Sequence, residues 1–140
     1  MKKQVILSIC GKQYYADQEP EVIELTTEGT MEKTENGWDI CYVETELTGL
    51  AGVHTSFLVE QDRITLTRTG KLNSQMVFTE GQSHDSLYQM EFGALMLTVN
   101  ATKIQAELGE QGGTVDLCYD IQIEQTAAGK IEYHLEINAK

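Results

Sequence analysis

Apolar and polar side chains alternate with a period of two residues along most of this chain. The clearest stretch is 114–125, and the same alternation returns in residues 131–138. Because successive side chains of a β-strand point to opposite faces, each stretch has one apolar face and one polar face. The apolar faces consist of Val115, Leu117, Tyr119, Ile121 and Ile123 in the first stretch and of Ile131, Tyr133, Leu135 and Ile137 in the second.

Shorter stretches of alternation predict further strands, about ten in all, joined by short turns. The Asn36-Gly37 step is typical of a tight hairpin turn. Gly93 and the pair Asn100-Ala101 are expected to separate strands, and the segment 127–130 is expected to separate the last two. The predicted strands are 5–13, 22–34, 38–47, 54–60, 63–69, 75–80, 87–92, 94–100, 103–109, 114–125 and 131–138.

This succession of short strands predicts an all-β fold. No stretch has the spacing of an amphipathic helix, and strands joined by hairpins form either a sandwich or a barrel. We favour a closed antiparallel up-and-down β-barrel, because closure removes both unpaired edges of the sheet. A length of 140 residues predicts a single domain, 1–140. The bends of such a barrel suit glycine, which occurs at Gly29, Gly49, Gly52, Gly70 and Gly93.

The charge balance restricts the partners of the protein. The chain has 22 acidic residues against 10 basic ones, a formal net charge of -12. Such a surface repels the phosphates of nucleic acids and the headgroups of anionic membranes. We therefore expect no nucleic-acid partner and no membrane partner, whereas the oligomeric state stays open.

The remaining composition points to the cytoplasm. The apolar run 5–10 is shorter than the core of a signal peptide, and no stretch approaches the length of a membrane-spanning helix. Cys10, Cys41 and Cys118 are odd in number and form no Cys-x-x-Cys motif. We expect reduced thiols in a cytoplasmic protein.

Several polar side chains share the parity of the apolar residues and are therefore expected inside the barrel. Tyr42 and Glu44 follow Ile40, and Arg68 follows Ile64 and Leu66. A buried carboxylate and guanidinium are tolerated when they pair with each other. This set is either a polar plug in a packed interior or the contact set of a ligand; the predicted ligand-binding residues are Tyr42, Glu44, Arg68, Tyr88 and Tyr119.

No pattern of catalytic, cofactor-binding or metal-binding residues is present. The chain lacks a nucleophile elbow, a zinc-protease helix motif, a phosphate-binding glycine loop and an EF-hand loop. Of the histidines, His54 and His134 lie on separate predicted strands and His84 in a predicted loop. We expect no metal, no cofactor and no enzymatic activity; in an enzyme, Glu44 would be the candidate general base.

The order of several short motifs resembles the YwiB-like family of small bacterial proteins of unknown function. The resemblance implies a calycin-like, lipocalin-like barrel in the cytoplasm of a Gram-positive bacterium, and it implies no catalytic residues. This chain has Met90 and Phe92 where the family tends to have threonine and a second tyrosine, so a drier pocket is expected. The motifs are Thr27-Glu28-Gly29, Tyr42-Val43-Glu44, Arg68-Thr69-Gly70, Met76-Val77-Phe78, Tyr88 with Phe92-Gly93, and Tyr119.

Two functions are compatible with this sequence. The first is the binding of a small, partly apolar or anionic molecule inside the barrel or at its mouth, with Arg68 contacting the anion. The second is a non-enzymatic structural or protein-interaction module whose interior is only a packed core.

Overall fold

The computed structural model describes residues 2–14, 19–45 and 51–140, which form ten strands. Leu47, the expected end of the third strand, and Gly49 lie outside these residues. The described residues contain no helix with the length and apolarity that spanning a bilayer requires. The strands are β1 (Lys2–Tyr14), β2 (Glu21–Lys33), β3 (Gly37–Val43), β4 (His54–Glu60), β5 (Ile64–Thr69), β6 (Leu72–Phe78), β7 (Ser83–Met90), β8 (Gly93–Gly109), β9 (Gly112–Ile123) and β10 (Thr126–Ala139).

The strands form a closed barrel in which each strand pairs with its neighbours in sequence. All pairings are antiparallel, and β10 returns to β1 with a continuous register from Val5↔Ala139 to Tyr14↔Lys130. The predicted closed antiparallel up-and-down barrel is therefore confirmed, and it is consistent with a calycin-like architecture. The seam between β6 and β7 is the shortest, with the pairs Leu72↔Met90 and Asn73↔Gln89.

The predicted break at Asn100-Ala101 is wrong, because β8 continues through a β-bulge between Ala101 and Lys103. Before the bulge the odd-numbered side chains, such as Val99, face inward. After it Ile104 is paired with Leu117 and packs on the core. The extra residue thus changes the inward parity from odd to even, which makes one strand look like two in the sequence.

Several other boundaries differ from the sequence prediction. β6 and β7 begin and end earlier than the predicted 75–80 and 87–92, and β3 ends at Val43, before the predicted 47. The turn between β9 and β10 is at Glu124-Gln125 and not at 127–130, and both turn residues have positive φ angles of 50° and 69°. This two-residue turn is held by Met96, whose backbone N–H donates to the Glu124 carboxylate. His84 lies in β7 and not in a loop, with its ring 3.2 Å from the Thr79 hydroxyl.

Gly29 shows why one of the sequence motifs requires its glycine. This residue is paired with Tyr42 on the neighbouring strand. A Cβ at position 29 would collide with the carbonyl oxygen of Cys41 and crowd the side chain of Leu7. The missing side chain therefore allows β2 and β3 to approach closely beside Tyr42.

The interior differs between the two ends of the barrel. At the end that carries the turns 34–36 and 61–63, closely packed apolar side chains fill the interior, and we call this the packed half. At the other end, where the turns 70–71, 91–92 and 124–125 lie, the barrel encloses a cavity, and we call this the open half. The packed half contains Val5, Leu7, Met31, Ile40, Ile64, Phe78, Val115, Leu117, Leu135 and Ile137.

Candidate functional site

The open half of the barrel contains a cavity of about 420 Å³. This volume falls within the range of roughly 300–1,000 Å³ that is usual for small-molecule sites. Most strands of the barrel contribute to its lining, since the strands converge on one interior. The lining residues that matter for the argument are Leu25, Tyr42, Glu44, Arg68, Tyr88, Leu95, Tyr119, Ile121, Lys130 and Tyr133.

One wall of the open half is polar and is built from a single row of cross-strand neighbours. The backbone register pairs Tyr42 with Thr55, Thr55 with Arg68, and Arg68 with Ser74. On β7, Tyr88 directly precedes Gln89, where the pairing with β6 ends, and it lines the cavity. Because paired residues on adjacent strands share a face, the four paired residues point inward, and Tyr42 and Arg68 among them line the cavity. We call these five residues the polar belt: Tyr42, Thr55, Arg68, Ser74 and Tyr88.

The wall opposite the polar belt is apolar. It is formed by β1, β2 and β8 to β10, whose inward residues in the open half are mainly isoleucine and leucine. A molecule in the cavity therefore has a polar surface on one side and an aliphatic surface on the other. The aliphatic residues include Ile9, Ile23, Leu25, Leu95, Leu97, Ile121 and Ile131.

Glu44 and Arg68 form a buried ion pair beside the polar belt. The Glu44 side chain is 1% exposed and the Arg68 side chain 11%. Glu44 is fixed at the end of β3 by backbone hydrogen bonds with Val53 and Gly52. Its Oε2 accepts a hydrogen bond of 2.6 Å from the Thr55 hydroxyl. The sequence pattern thus correctly placed both charges inside the barrel.

The two charged groups lie close enough to attract each other, but their hydrogen bonds are incomplete. Arg68 Nε lies 3.7 Å from Glu44 Oε2, which is too long for a hydrogen bond. Among the described residues, Arg68 Nε and Glu44 Oε1 have no hydrogen-bond partner, and neither does the buried hydroxyl of Ser74. Thr34 Oγ1, at the other end of the barrel, is also unpartnered there. Buried polar groups are nearly always satisfied, so the ion pair keeps unused hydrogen-bonding capacity.

The pKa values of Arg68, Tyr42 and Tyr119 are all raised above their ordinary values, which keeps Arg68 charged and the two phenols neutral. Burial alone lowers the pKa of Arg68, but the nearby Tyr133 hydroxyl and the Glu44 carboxylate outweigh it and raise that pKa above its ordinary value. Burial raises the pKa of Tyr42, and the Glu44 carboxylate adds to the rise. Burial also raises the pKa of Tyr119. The site therefore offers hydroxyl groups and one guanidinium to a ligand.

Most interior aromatic rings pack against one another in a continuous chain. Tyr42 contacts Phe57 at a centroid distance of 6.4 Å, and Phe57 contacts Tyr133 at 6.2 Å. Tyr133 contacts Tyr119 at 6.4 Å, and Tyr119 contacts Phe78 at 4.5 Å. Tyr88 lines the cavity but belongs to none of the ring contacts found in the described part of the chain.

All five residues predicted from the sequence as ligand contacts line this one cavity: Tyr42, Glu44, Arg68, Tyr88 and Tyr119. Their role in binding stays a prediction. Tyr133 also lines the cavity and was not predicted as a contact, although it lies on the apolar face of the last strand. Thr55 and Ser74, which neighbour the ion pair, were not predicted either. Thr55 shares the parity of Phe57. Ser74 lies before the predicted start of its strand.

The expectation that Met90 and Phe92 make the pocket drier is wrong. Phe92 is 97% exposed in the turn between β7 and β8, and Met90 at the end of β7 is also exposed. Neither residue lines the cavity. The alternation of β7 continues past the end of the barrel, where an inward parity no longer means burial.

The histidines and cysteines lie apart from the cavity. His134 is on the outer face of β10, with Nδ1 2.6 Å from Asp116 and Nε2 3.3 Å from Glu136. Cys10, Cys41 and Cys118 are free, partly buried thiols. Across residues 2–14, 19–45 and 51–140, no group of three histidine, cysteine or acidic residues is arranged to hold a metal ion.

Comparisons with known proteins find relatives over nearly the whole chain. Residues 7–137 match DUF1934, a domain of unknown function. The uncharacterized β-barrel protein YwiB of Bacillus subtilis (strain 168) is 28% identical over 124 residues, which cover 88% of this chain and 86% of that protein. The crystal structure of the ywiB protein from Bacillus subtilis has a TM-score of 0.88 at 24% identity, covering 99% of this chain and 93% of that one. At this identity the structural match establishes a shared fold.

Proposed function

This chain belongs to the DUF1934 family, whose function is unknown, and from the interior of its barrel we propose that it binds a small, partly apolar molecule that carries an anionic group. The membership confirms the YwiB-like resemblance that the ordered sequence motifs indicated. The observation that carries the proposal is a cavity in which an aliphatic wall faces a buried guanidinium with an unpartnered nitrogen, that of Arg68.

The charges of the cavity favour an anion. Within the described parts of the chain, the charged residues that line it are Glu44, Arg68 and Lys130, one acidic against two basic, in a chain with a net charge of -12. Glu44 is already engaged by the Thr55 hydroxyl. An anionic ligand at Arg68 therefore gains a charge-assisted hydrogen bond, which is stronger than a bond between neutral groups.

The cavity volume sets the size of the ligand. A cavity of about 420 Å³ lies toward the lower end of the range of roughly 300–1,000 Å³ that is usual for small-molecule sites. The aliphatic wall gives such a molecule about 25 cal/mol for each Å² of apolar surface removed from water. The ligand is thus a compact metabolite-sized molecule with an apolar body and one anionic end.

The proposal predicts a preference for a carboxylate over a neutral amide of the same shape. Octanoate and octanamide are to be compared by isothermal titration calorimetry. We expect octanoate to bind at least about 10-fold more tightly, because a hydrogen bond to a charged group contributes roughly 1.5–3 kcal/mol. The double variant Glu44→Gln/Arg68→Met, which removes both buried charges together, should lose this preference.

The control for this experiment is Phe92→Ser, an exposed position away from the cavity, which should leave the preference unchanged. Circular dichroism establishes that each variant is folded. If the folded wild-type protein accepts neither probe at millimolar concentration, the interior is a polar plug and the proposed function is wrong. A preference that survives in the double variant would exclude Arg68 as the anion contact.

A further inference from the structure

We infer that the apolar part of the ligand is an aromatic ring that stacks on Tyr88 while its carboxylate contacts Arg68. The site would thus select aryl-substituted monocarboxylates of short chain length. This inference rests on the proposed function and deepens it by naming the class of ligand.

Tyr88 is a cavity-lining aromatic residue that packs against the core but takes part in no ring–ring contact among the described residues. The other rings inside the barrel, including Tyr42, Tyr119 and Tyr133, are engaged with each other in the aromatic chain described above. Tyr88 is partly exposed, lines the cavity, and has no ring partner among the described residues. Aromatic faces are best covered by another ring in an offset or edge-on arrangement.

The order of the strands sets the separation between the ring contact and the charge. Arg68 on β5 and Tyr88 on β7 both line the cavity, and the single strand β6 lies between their strands. Strands separated by one neighbour are about 9.5 Å apart. Since both side chains reach into the cavity, a ring joined to a carboxylate by a few methylenes spans the remaining gap.

Arg68 supplies the charge that the carboxylate contacts. Arg68 lines the cavity, and its Nε has no hydrogen-bond partner among the described residues. A carboxylate has two oxygens and about four acceptor sites, so it can accept from more than one N–H group of a guanidinium. This chemistry favours a carboxylate over an anion with a single oxygen.

Aliphatic side chains also line the cavity around Tyr88. Leu95 lies beside Tyr88 as its partner on the neighbouring strand, and Ile121 and Ile131 line the cavity from β9 and β10. A ring stacked on Tyr88 would have these aliphatic side chains among its remaining surroundings. A saturated ring gains the same aliphatic contacts but gains less from Tyr88, and this difference can be measured.

The test compares matched pairs of ligands on the wild-type protein and on three variants. The ligands are phenylalkanoates with one to four methylenes and the cyclohexylalkanoates of the same length, with dissociation constants measured by calorimetry. At the best length, the wild type should bind the phenyl acid about 3- to 10-fold more tightly than the cyclohexyl acid. Tyr88→Phe should keep this preference, and Tyr88→Leu should abolish it. Leu87→Ser, on the outer face of the same strand, controls for disturbance of β7.

The outcomes separate the two proposals. If both acids bind equally well to the wild type, or if the preference persists in Tyr88→Leu, the ring contact is wrong while the anion-binding cavity stands. If no acid of either series binds to the folded protein, the inference is overturned, and the proposed function is overturned with it only if octanoate fails to bind as well. A preference that depends on the ring at position 88 supports the inference.

Discussion

At the residue scale, the central feature is the buried ion pair of Glu44 and Arg68, whose hydrogen bonds are incomplete. Glu44 has one oxygen engaged by Thr55, and Arg68 has a long contact of 3.5 Å with the Tyr133 hydroxyl. Each charge is tolerated in the interior because the other is present. Because few other groups neutralise these two charges, the loss of either residue should lower the stability of the folded protein.

Arg68→Ala should destabilise the folded protein by about 3–5 kcal/mol, because it leaves Glu44 buried without a counter-charge. Urea unfolding at neutral pH measures this cost. The double variant Glu44→Gln/Arg68→Met should cost much less, since no unpaired charge remains. Arg63→Ala is the matched control: Arg63 pairs with Glu60 at 3.1 Å but is half exposed, so the expected change is below about 0.5 kcal/mol. A cost below about 1 kcal/mol for Arg68→Ala would contradict a buried pair.

At the scale of elements, the register between strands decides which outer side chains meet. Asp116 of β9 is directly opposite His134 of β10, and their side chains are 2.6 Å apart. The hydrogen bond with Asp116, followed by that with Glu136, raises the pKa of His134 above its ordinary value of 6.5. The outer face of the β9–β10 pair therefore carries a titratable contact near neutral pH.

This contact predicts a pH dependence with a definite sign. A histidine whose pKa is raised on folding stabilises the folded state fully below the unfolded pKa of about 6.5, and the contribution is lost as the pH rises through the folded value. Because His134 and Asp116 are 43% and 33% exposed, the effect on stability is only about 0.5 kcal/mol. An NMR titration of the His134 ring should give a midpoint above 6.5 that falls in Asp116→Asn. An unchanged midpoint in that variant would show that Asp116 does not cause the rise.

At the scale of the whole molecule, the two halves of the barrel differ in how completely their interiors are packed. The packed half holds fully buried aliphatic and aromatic side chains and supplies the main hydrophobic stabilisation. The open half leaves a cavity beside the polar belt. The side chains around a cavity lose van der Waals contacts, so the packed half must supply the packing energy that the open half lacks.

The division predicts unequal costs for the same substitution in the two halves. Leu117→Ala, in the packed half, should destabilise the protein by about 3–5 kcal/mol, because it leaves a new void. Leu95→Ala, at the cavity wall, should cost about 1 kcal/mol, because Leu95 is only partly buried and already borders a cavity. Urea unfolding of both variants measures the difference. Equal costs would indicate that the open half is packed in solution.

The sequence by itself determined the strands, the barrel and the inward direction of Tyr42, Glu44 and Arg68. The period of two is a local property of an extended backbone, so it can be seen without knowing what lies across the sheet. Local patterns also carried the family resemblance, because the ordered motifs mark strand ends and close approaches such as that at Gly29.

The tertiary structure alone decided where parity ends and which polar residues meet. Phe92 has the parity of Tyr88 but projects beyond the barrel, and the bulge after Ala101 reverses the parity of β8. Thr55 and Ser74 join Arg68 in one row only through the register of three strands. Whether the interior is hollow depends on the summed volumes of side chains from all ten strands. These are non-local quantities, and no window of the sequence contains them.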